Sequence, residues 1–248
     1  NKDAMIITWL GHSCFLLQGE EGITILLDPF FEDSVGYPLP RLKADIVLIS
    51  HAHTDHSNVH AGGGRSQVIL GTGEHSSLGL KIRGIGSYHD QKMGRLRGEN
   101  TIFCFSLDGI RVCHLGDLGH ILSPSQIREI GPVDLLFLPV GGRYTIDARD
   151  ADEVMDQLNP ALVVPMHYRT EKLCFELNGL GDFLRNKKDV SRYEVLRLKE
   201  SGVKVRQVPH YVVSKIIWDS RSGSRLKTSE LLILLRGSIT RKRMDASN

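Results

Sequence analysis

The sequence predicts an α/β protein, a layered sandwich of sheet and helix, on three observations. Short β-prone runs broken by glycine fill the first third of the chain. Longer, nearly continuous apolar runs follow at Ala44–Ser50 (ADIVLIS), Val133–Val140 (VDLLFLPV) and Ala161–Met166 (ALVVPM), as strands buried on both faces require. Helical signals alternate with these strands, which argues for sheet layered against helix.

Taken in order, Ile6–Leu10, Ser13–Leu17 and Ile23–Leu27 are the first strands, punctuated by Gly11, Gly19 and Gly22. Ile102–Leu107 and Ile110–Leu115 flank Asp108-Gly109, a pair suited to a two-residue turn with positive φ. That turn sets Leu107 opposite Ile110 and makes Cys104 and Cys113 a close, non-hydrogen-bonded pair with both sulfurs on one face. Ser123-Pro124 reads as an N-cap with proline at the first helical position. Ala148–Leu158 is amphipathic and acidic, and Asn159-Pro160 stops it. We expect one domain over residues 1–210. Residues 211–248 form a basic C-terminal extension, with a final strand at Glu230–Leu235 and a mobile tail.

The 248 residues are 41% hydrophobic and 24% charged, values of an ordinary globular chain with a substantial core. No apolar run reaches the roughly 20 residues that cross a bilayer, and Asn1–Thr8 lacks the pattern of a secretory leader; the expected location is cytoplasmic. The four cysteines form no CxxC pair or zinc-finger spacing and read as buried thiols. Residues 1–184 carry 15 Lys+Arg against 23 Asp+Glu, and residues 185–248 carry 16 against 6. The basic stretch reads as a solvated face, with docking of a phosphate-rich partner as the sharper alternative.

The chemistry concentrates in His51-Ala52-His53-Thr54-Asp55-His56, directly after a buried strand. On an extended segment residues two apart project to the same side, so His51 and His53 can grip one ion. Asp55 and His56 follow where the chain must turn, and they can face a second. Imidazole and carboxylate suit zinc, and also manganese or iron.

This segment resembles the HxHxDH signature of the metallo-β-lactamase superfamily. Later residues match in order: His89 in Ser87-Tyr88-His89-Asp90, Asp117 in Gly116-Asp117-Leu118-Gly119-His120, and His167 in Pro165-Met166-His167-Tyr168. The opening Trp9-Leu10-Gly11-His12-Ser13 and Pro139-Val140-Gly141-Gly142 are similar to a branch of metal-dependent hydrolases related to L-ascorbate-6-phosphate lactonases. The resemblance implies a four-layer αββα fold and two divalent cations, zinc foremost. It implies His51, His53 and His89 on the first ion, Asp55, His56 and His167 on the second, and Asp117 bridging both. Water between two such ions ionises near neutral pH and becomes the nucleophile. Leu26-Leu27-Asp28-Pro29 looks like the superfamily's buried aspartate motif, placing Asp28 behind a ligand imidazole.

The catalytic candidates are Asp55, Asp117 and His120, the last as proton donor or substrate contact, with packing as the even alternative. His12 is site-lining or structural, and His114 competes with His89. His60, His75 and His210 lack ligand context. Arg143 and Tyr144, in a loop after a buried strand, are candidate contacts to an anionic substrate. Lys92, Arg95 and Arg97 could receive a phosphate or be merely solvated. The expected function is hydrolysis of a small anionic ester, lactone or phosphorylated metabolite, with no membrane partner and oligomeric state open. Alternatives are a phosphodiesterase or nuclease, though basic residues are not interleaved with aromatics, and a non-catalytic metal-binding protein.

Overall fold

The computed structural model describes residues 4–193, 195–199, 210–214 and 231–233, the last two segments as paired backbone. The chain opens with β1 (Met5–Gly11), β2 (Cys14–Gln18), β3 (Thr24–Leu27), the one-turn α1 (Glu32–Val35), β4 (Ile46–Ile49) and β5 (Gln67–Leu70). It continues through β6 (Gly73–Ser77), β7 (Leu80–Tyr88), β8 (Glu99–Leu107), β9 (Ile110–His114), α2 (Pro124–Ile130), β10 (Leu135–Pro139), α3 (Ala148–Leu158) and β11 (Leu162–Met166). Then come α4 (Leu180–Leu184), β12 (Val190–Tyr193), β13 (Val195–Leu198), β14 (His210–Ser214) and β15 (Leu231–Ile233).

The strands make two mixed sheets, ordered β15-β13-β1-β2-β3-β4-β5 and β12-β14-β11-β10-β9-β8-β7-β6. Their inner faces share one core, in which Phe15 of the first sheet meets Phe137 of the second with ring centroids 4.4 Å apart. Alternation along β4 explains its apolar run. Ile46 and Leu48 point into that core, whereas Val47 and Ile49 join Leu26, Phe30, Val35 and Tyr37 on the outer face. The outer cover there is a loop and α1, a thin layer compared with the helices against the second sheet.

Local chemistry builds those helices. Ser123 caps α2, accepting from Gln126 N while Gln126 Oε1 accepts from Ser123 N at 2.9 Å, a capping box with proline at the first turn. Asp147 caps α3 and Asn159 ends it in the left-handed region, so Ala151, Val154, Met155 and Leu158 face the core. At the hairpin, Asp108 (φ 50°) and Gly109 (φ 74°) form the tight turn. Leu107 pairs with Ile110 and Cys104 with Cys113, the sulfurs 3.7 Å apart as free thiols. Two cysteines depart from the expected burial: Cys104 is only partly buried, and Cys174, in the loop between β11 and α4, is exposed.

His210 begins β14, which lies between β11 and β12, so residues 210–214 are part of a sheet. Within Glu230–Leu235, residues 231–233 pair in parallel with β13. The rest of the basic extension, including the expected mobile tail, lies outside the described residues. No helix among the described residues is long and apolar enough to cross a membrane.

Candidate metal centre

Strand direction gathers the candidate ligands. In the first sheet β1 is antiparallel to β2 and β2 to β3, while β3 and β4 are parallel, so β1, β3 and β4 run the same way. In the second sheet the same reasoning aligns β7, β9, β10 and β11. His12, Asp28 and His51 therefore follow the carboxyl ends of β1, β3 and β4. His89, Asp117 and His167 follow those of β7, β9 and β11. Sites at the carboxyl edge of parallel strands are the general rule for open α/β sheets. His12, Asp28 and His167 all take positive φ (52°, 40° and 52°), a conformation costly for residues other than glycine and concentrated at functional sites.

The donor atoms form two adjacent groups. His51, His53 and His89 make one; His12, Asp55, His56 and His167 make the other; and His51, His56 and Asp117 link them, each group with its donor atoms within 4.8 Å of one another. Asp117 Oδ2 lies 3.0 Å from His89 Nε2, 3.1 Å from His167 Nε2 and 3.8 Å from His51 Nε2, and Oδ1 lies 3.2 Å from His56 Nε2. Asp55 Oδ2 sits 3.5 Å from His56 Nε2 and 3.2 Å from His12 Nε2. One sequence argument needs correction: residues 51–56 are bends and a turn, not an extended segment. The rings of His51 and His53 nevertheless meet edge to face at 4.7 Å.

Hydrogen bonds behind the cluster orient the imidazoles. Asp28 accepts from Ser50 N (2.7 Å) and Ser50 Oγ (2.6 Å), and faces His56 Nδ1 at 3.0 Å. With its own proton committed to Asp28, Ser50 Oγ accepts from His51 Nδ1 at 2.9 Å. His89 Nδ1 donates to Tyr144 O at 3.0 Å. Each of these three rings thus turns its Nε2 toward the cluster, the nitrogen that a metal would take. Among the described residues, His51 Nε2, His56 Nε2, His167 Nε2 and Asp117 Oδ1 are buried and make no hydrogen bond of good geometry, although the three rings stand only 3.1–3.8 Å from the Asp117 carboxylate. Unpaired buried polar atoms are rare and costly, and a divalent cation that accepts imidazole and carboxylate together fits this donor set.

The electrostatics divide the imidazoles: burial lowers His12, His51 and His53, whereas Asp117 raises His56 and His89 against the effect of burial. Burial, then the neighbouring His56, pushes His51 down to about 3, and burial with His167 pushes His12 down to about 4, so both rings stay neutral. Burial and His89 lower His53 as well. Burial opposes ionisation of Asp117, yet His167 and His56 hold it well below the usual carboxylate range. Burial likewise opposes ionisation of Asp55, which His56 and His12 outweigh. Against the effect of burial, Asp117 and Asp55 hold His56 well above its ordinary value.

The remaining candidates divide. His114 stays out of the donor groups: its Nε2 contacts Ser13 O at 3.3 Å, and its Nδ1 accepts from Gly116 N. His120 is held by backbone groups: its Nε2 accepts from Tyr88 N at 3.1 Å and its Nδ1 donates to Ile121 O at 2.8 Å, the arrangement of the packing alternative. Backbone groups occupy both ring nitrogens. Tyr144 lines a cavity of about 370 Å³ beside the cluster, together with Ser34, Thr54, Arg97 and Phe175. Arg143 is turned away from it into an ion pair with Glu176. His60 and His75 stand apart from the donor groups, and the side chain of His210 lies outside the described residues. Nothing in the spacing around Phe175, a lone aromatic, marks it out, although its ring meets His12 at 5.5 Å and Tyr144 at 6.1 Å.

The domain family described as "Beta-lactamase superfamily domain" matches residues 6–167, the span that holds every one of these ligand candidates. The chain belongs to the metallo-β-lactamase superfamily. Within it, the chain is similar to a UPF0173 metal-dependent hydrolase of Methanoregula boonei, 30% identical over 212 residues that cover 75% of this chain and 93% of the relative. A second such hydrolase, from Thermoplasma acidophilum, is 31% identical over 66% of this chain and 83% of its own. A Thermotoga maritima structure described as a Zn-dependent hydrolase of the superfamily is 41% identical, with a TM-score of 0.70 and coverage of 85% and 98%. An isothiocyanate hydrolase from Delia radicum gut bacteria, 17% identical with a TM-score of 0.55, shares the fold alone. The chain is accordingly a metal-dependent hydrolase, as its HxHxDH segment led us to expect.

Proposed function

We propose that this hydrolase works with two cations on a small, anionic ester, lactone or phosphorylated metabolite. The observation that carries the proposal is the pair of donor groups linked through Asp117 and opening on the 370 Å³ cavity. In this reading His51, His53 and His89 hold one ion, Asp55, His56 and His167 the other, with Asp117 shared and His12 joining the second group. Two zinc ions so held would polarise the substrate's oxygen and ionise a water at neutral pH. The chain's own part is positioning. Asp28 and Ser50 fix His56 and His51, Tyr144 O fixes His89, and burial holds His12, His51 and His53 below their ordinary values, which keeps those lone pairs available. The cavity floor carries Asp117 and His167, and its walls carry Tyr144 and Phe175, so a substrate lodged there has its reacting bond beside the cluster. Elemental analysis should find about two metals per loaded chain, and turnover of generic esters or lactones should follow metal content. Saturation at one metal, or metal-independent turnover, would sink the dinuclear reading. Preferential cleavage of bis-phosphodiesters with a steep salt dependence would move the function to the phosphodiesterase class.

A further inference from the structure

A second cavity, of about 460 Å³, adjoins the first and shares two side chains with it, His53 and Arg97. Its wall is apolar, built from Ile49, Val59 and Leu70 with the side chain of Thr101. Leu70 is 61% exposed, so apolar surface stands open to solvent next to the metal cluster. Among the described residues, Arg97 is the only Lys or Arg lining either cavity.

Arg97 is rigidly placed. Asp90 accepts backbone hydrogen bonds from Lys92 (2.6 Å), Gly94 (3.1 Å), Leu96 (2.9 Å) and Arg97 (2.8 Å), folding the loop around one carboxylate. Gly98 O then accepts from His89 N at 3.1 Å, which ties the loop to a ligand candidate. The guanidinium carbon of Arg97 lies 5.4 Å from the centre of the Tyr144 ring. Stacking of that kind orients the planar fork and leaves its edge donors free. Glu99 shares the second cavity, but among the described residues no ion pair involves Arg97. Arg143, 5.8 Å from the centre of the same ring, is already paired with Glu176. Lys92 and Arg95 are exposed and line neither cavity. A fixed, unpaired guanidinium at the mouth of an active site is built to take a carboxylate or phosphate in bidentate fashion.

We infer that Arg97 anchors an oxyanion of the substrate while the Val59–Leu70–Thr101 wall takes an apolar part of the same molecule, which makes the substrate an amphiphilic oxyanion. This deepens the hydrolase reading and depends on it only for the word substrate, since the binding site can be tested without turnover. Calorimetric titration of the zinc-loaded protein with 4-phenylbutyrate and its neutral isostere 4-phenylbutyramide provides that test, and 4-phenylbutylphosphonate ranks phosphonate against carboxylate. Wild type should prefer the acid. Arg97→Ala should lower the acid-to-amide preference about tenfold or more, the scale of a charge-assisted hydrogen bond, with amide affinity and thermal midpoint unchanged. Arg97→Lys should recover only part, because a point charge lacks the fork. Leu70→Ser should weaken acid and amide by the same factor. The metals also attract carboxylate, but that contribution is common to wild type and variant and cancels in the comparison. An acid-to-amide ratio equal in wild type and Arg97→Ala would overturn the assignment, as would failure of wild type to bind any of the probes. The dinuclear reading would then still stand or fall on metal content and metal-dependent turnover.

Discussion

Asp28 holds the ring of His56 from behind, with Oδ2 3.0 Å from Nδ1, on the side of the imidazole opposite Asp117. The contact links two parallel strands of the first sheet, because Asp28 follows β3 and His56 lies six residues after Ser50 at the end of β4. It sets which nitrogen of His56 carries the proton, and so which is bare.

Asp28→Ala should therefore lower metal affinity by about 10- to 100-fold, the usual cost of losing such a supporting acceptor. Asp28→Asn should lose less, since the amide oxygen can still accept from one of its donors. Competition with a chromogenic chelator reads the affinity directly. Unchanged affinity in Asp28→Ala would show that His56 is oriented by its neighbours instead.

Asp117→Ala should abolish most turnover and leave a cooperatively folding protein. The carboxylate faces imidazoles and not the apolar core, while its backbone N–H is held separately by Asn100 Oδ1 at 2.9 Å. A circular-dichroism melt and an assay on any hydrolysed ester check both halves. Near-normal turnover would remove Asp117 from the bridging position.

Close backbone approach yields a third expectation. A Cβ at Gly141 would collide with the carbonyl oxygen of His167 and approach Tyr168 Cα to 3.1 Å. Backbone cannot yield as a side-chain tip can, so Gly141→Ala should displace His167, lower the thermal midpoint and reduce metal content. Gly181, where an added Cβ meets nothing within 4 Å, is the control. Gly181→Ala lies in α4 and should be neutral or stabilising by roughly 0.5–1 kcal/mol. Equal behaviour of the two variants would show that the Gly141 contact is soft.

The parts of this site legible in the sequence are those written in local spacing. HxHxDH packs four donors into six residues, and the Asp108-Gly109 turn dictates a register that the hairpin keeps through Phe103↔His114. His51 and His167 each follow an apolar run, whereas His89 and Asp117 are legible only through the order of the superfamily's motifs. Contacts across long separations left no such trace. His12 reaches Asp55 across 43 positions, and Phe175 arrives from a loop with no periodicity. Nearness in sequence to Asp117 does not determine where the ring of His120 points; its partners are Tyr88 N and Ile121 O. Of three loop cations, only Arg97 reaches the cavity, since the side chain of Asp90 decides the fold of that loop.

The last prediction concerns His12, whose ring fills the space between Asp55, at 3.2 Å, and His167, at 4.2 Å between ring centroids. Its Nδ1 is buried and has no partner among the described residues. Its carbonyl does separate structural work, accepting from Trp9 Nε1 at 2.9 Å and from His167 N at 3.4 Å. A useful variant must keep that backbone in place. Alanine is poorly suited to φ 52°, whereas asparagine tolerates the left-handed region and is too short to reach Asp55. His12→Asn should therefore fold with a near-wild-type melt while weakening the second donor group. Dialysis against a mild chelator, followed by elemental analysis, should reduce bound metal from about two per chain to about one. Metal held by His51, His53 and His89 should persist, because none of those rings touches His12. Retention of the full complement at unchanged affinity would return His12 to a purely structural role, leaving the second group to Asp55, His56 and His167.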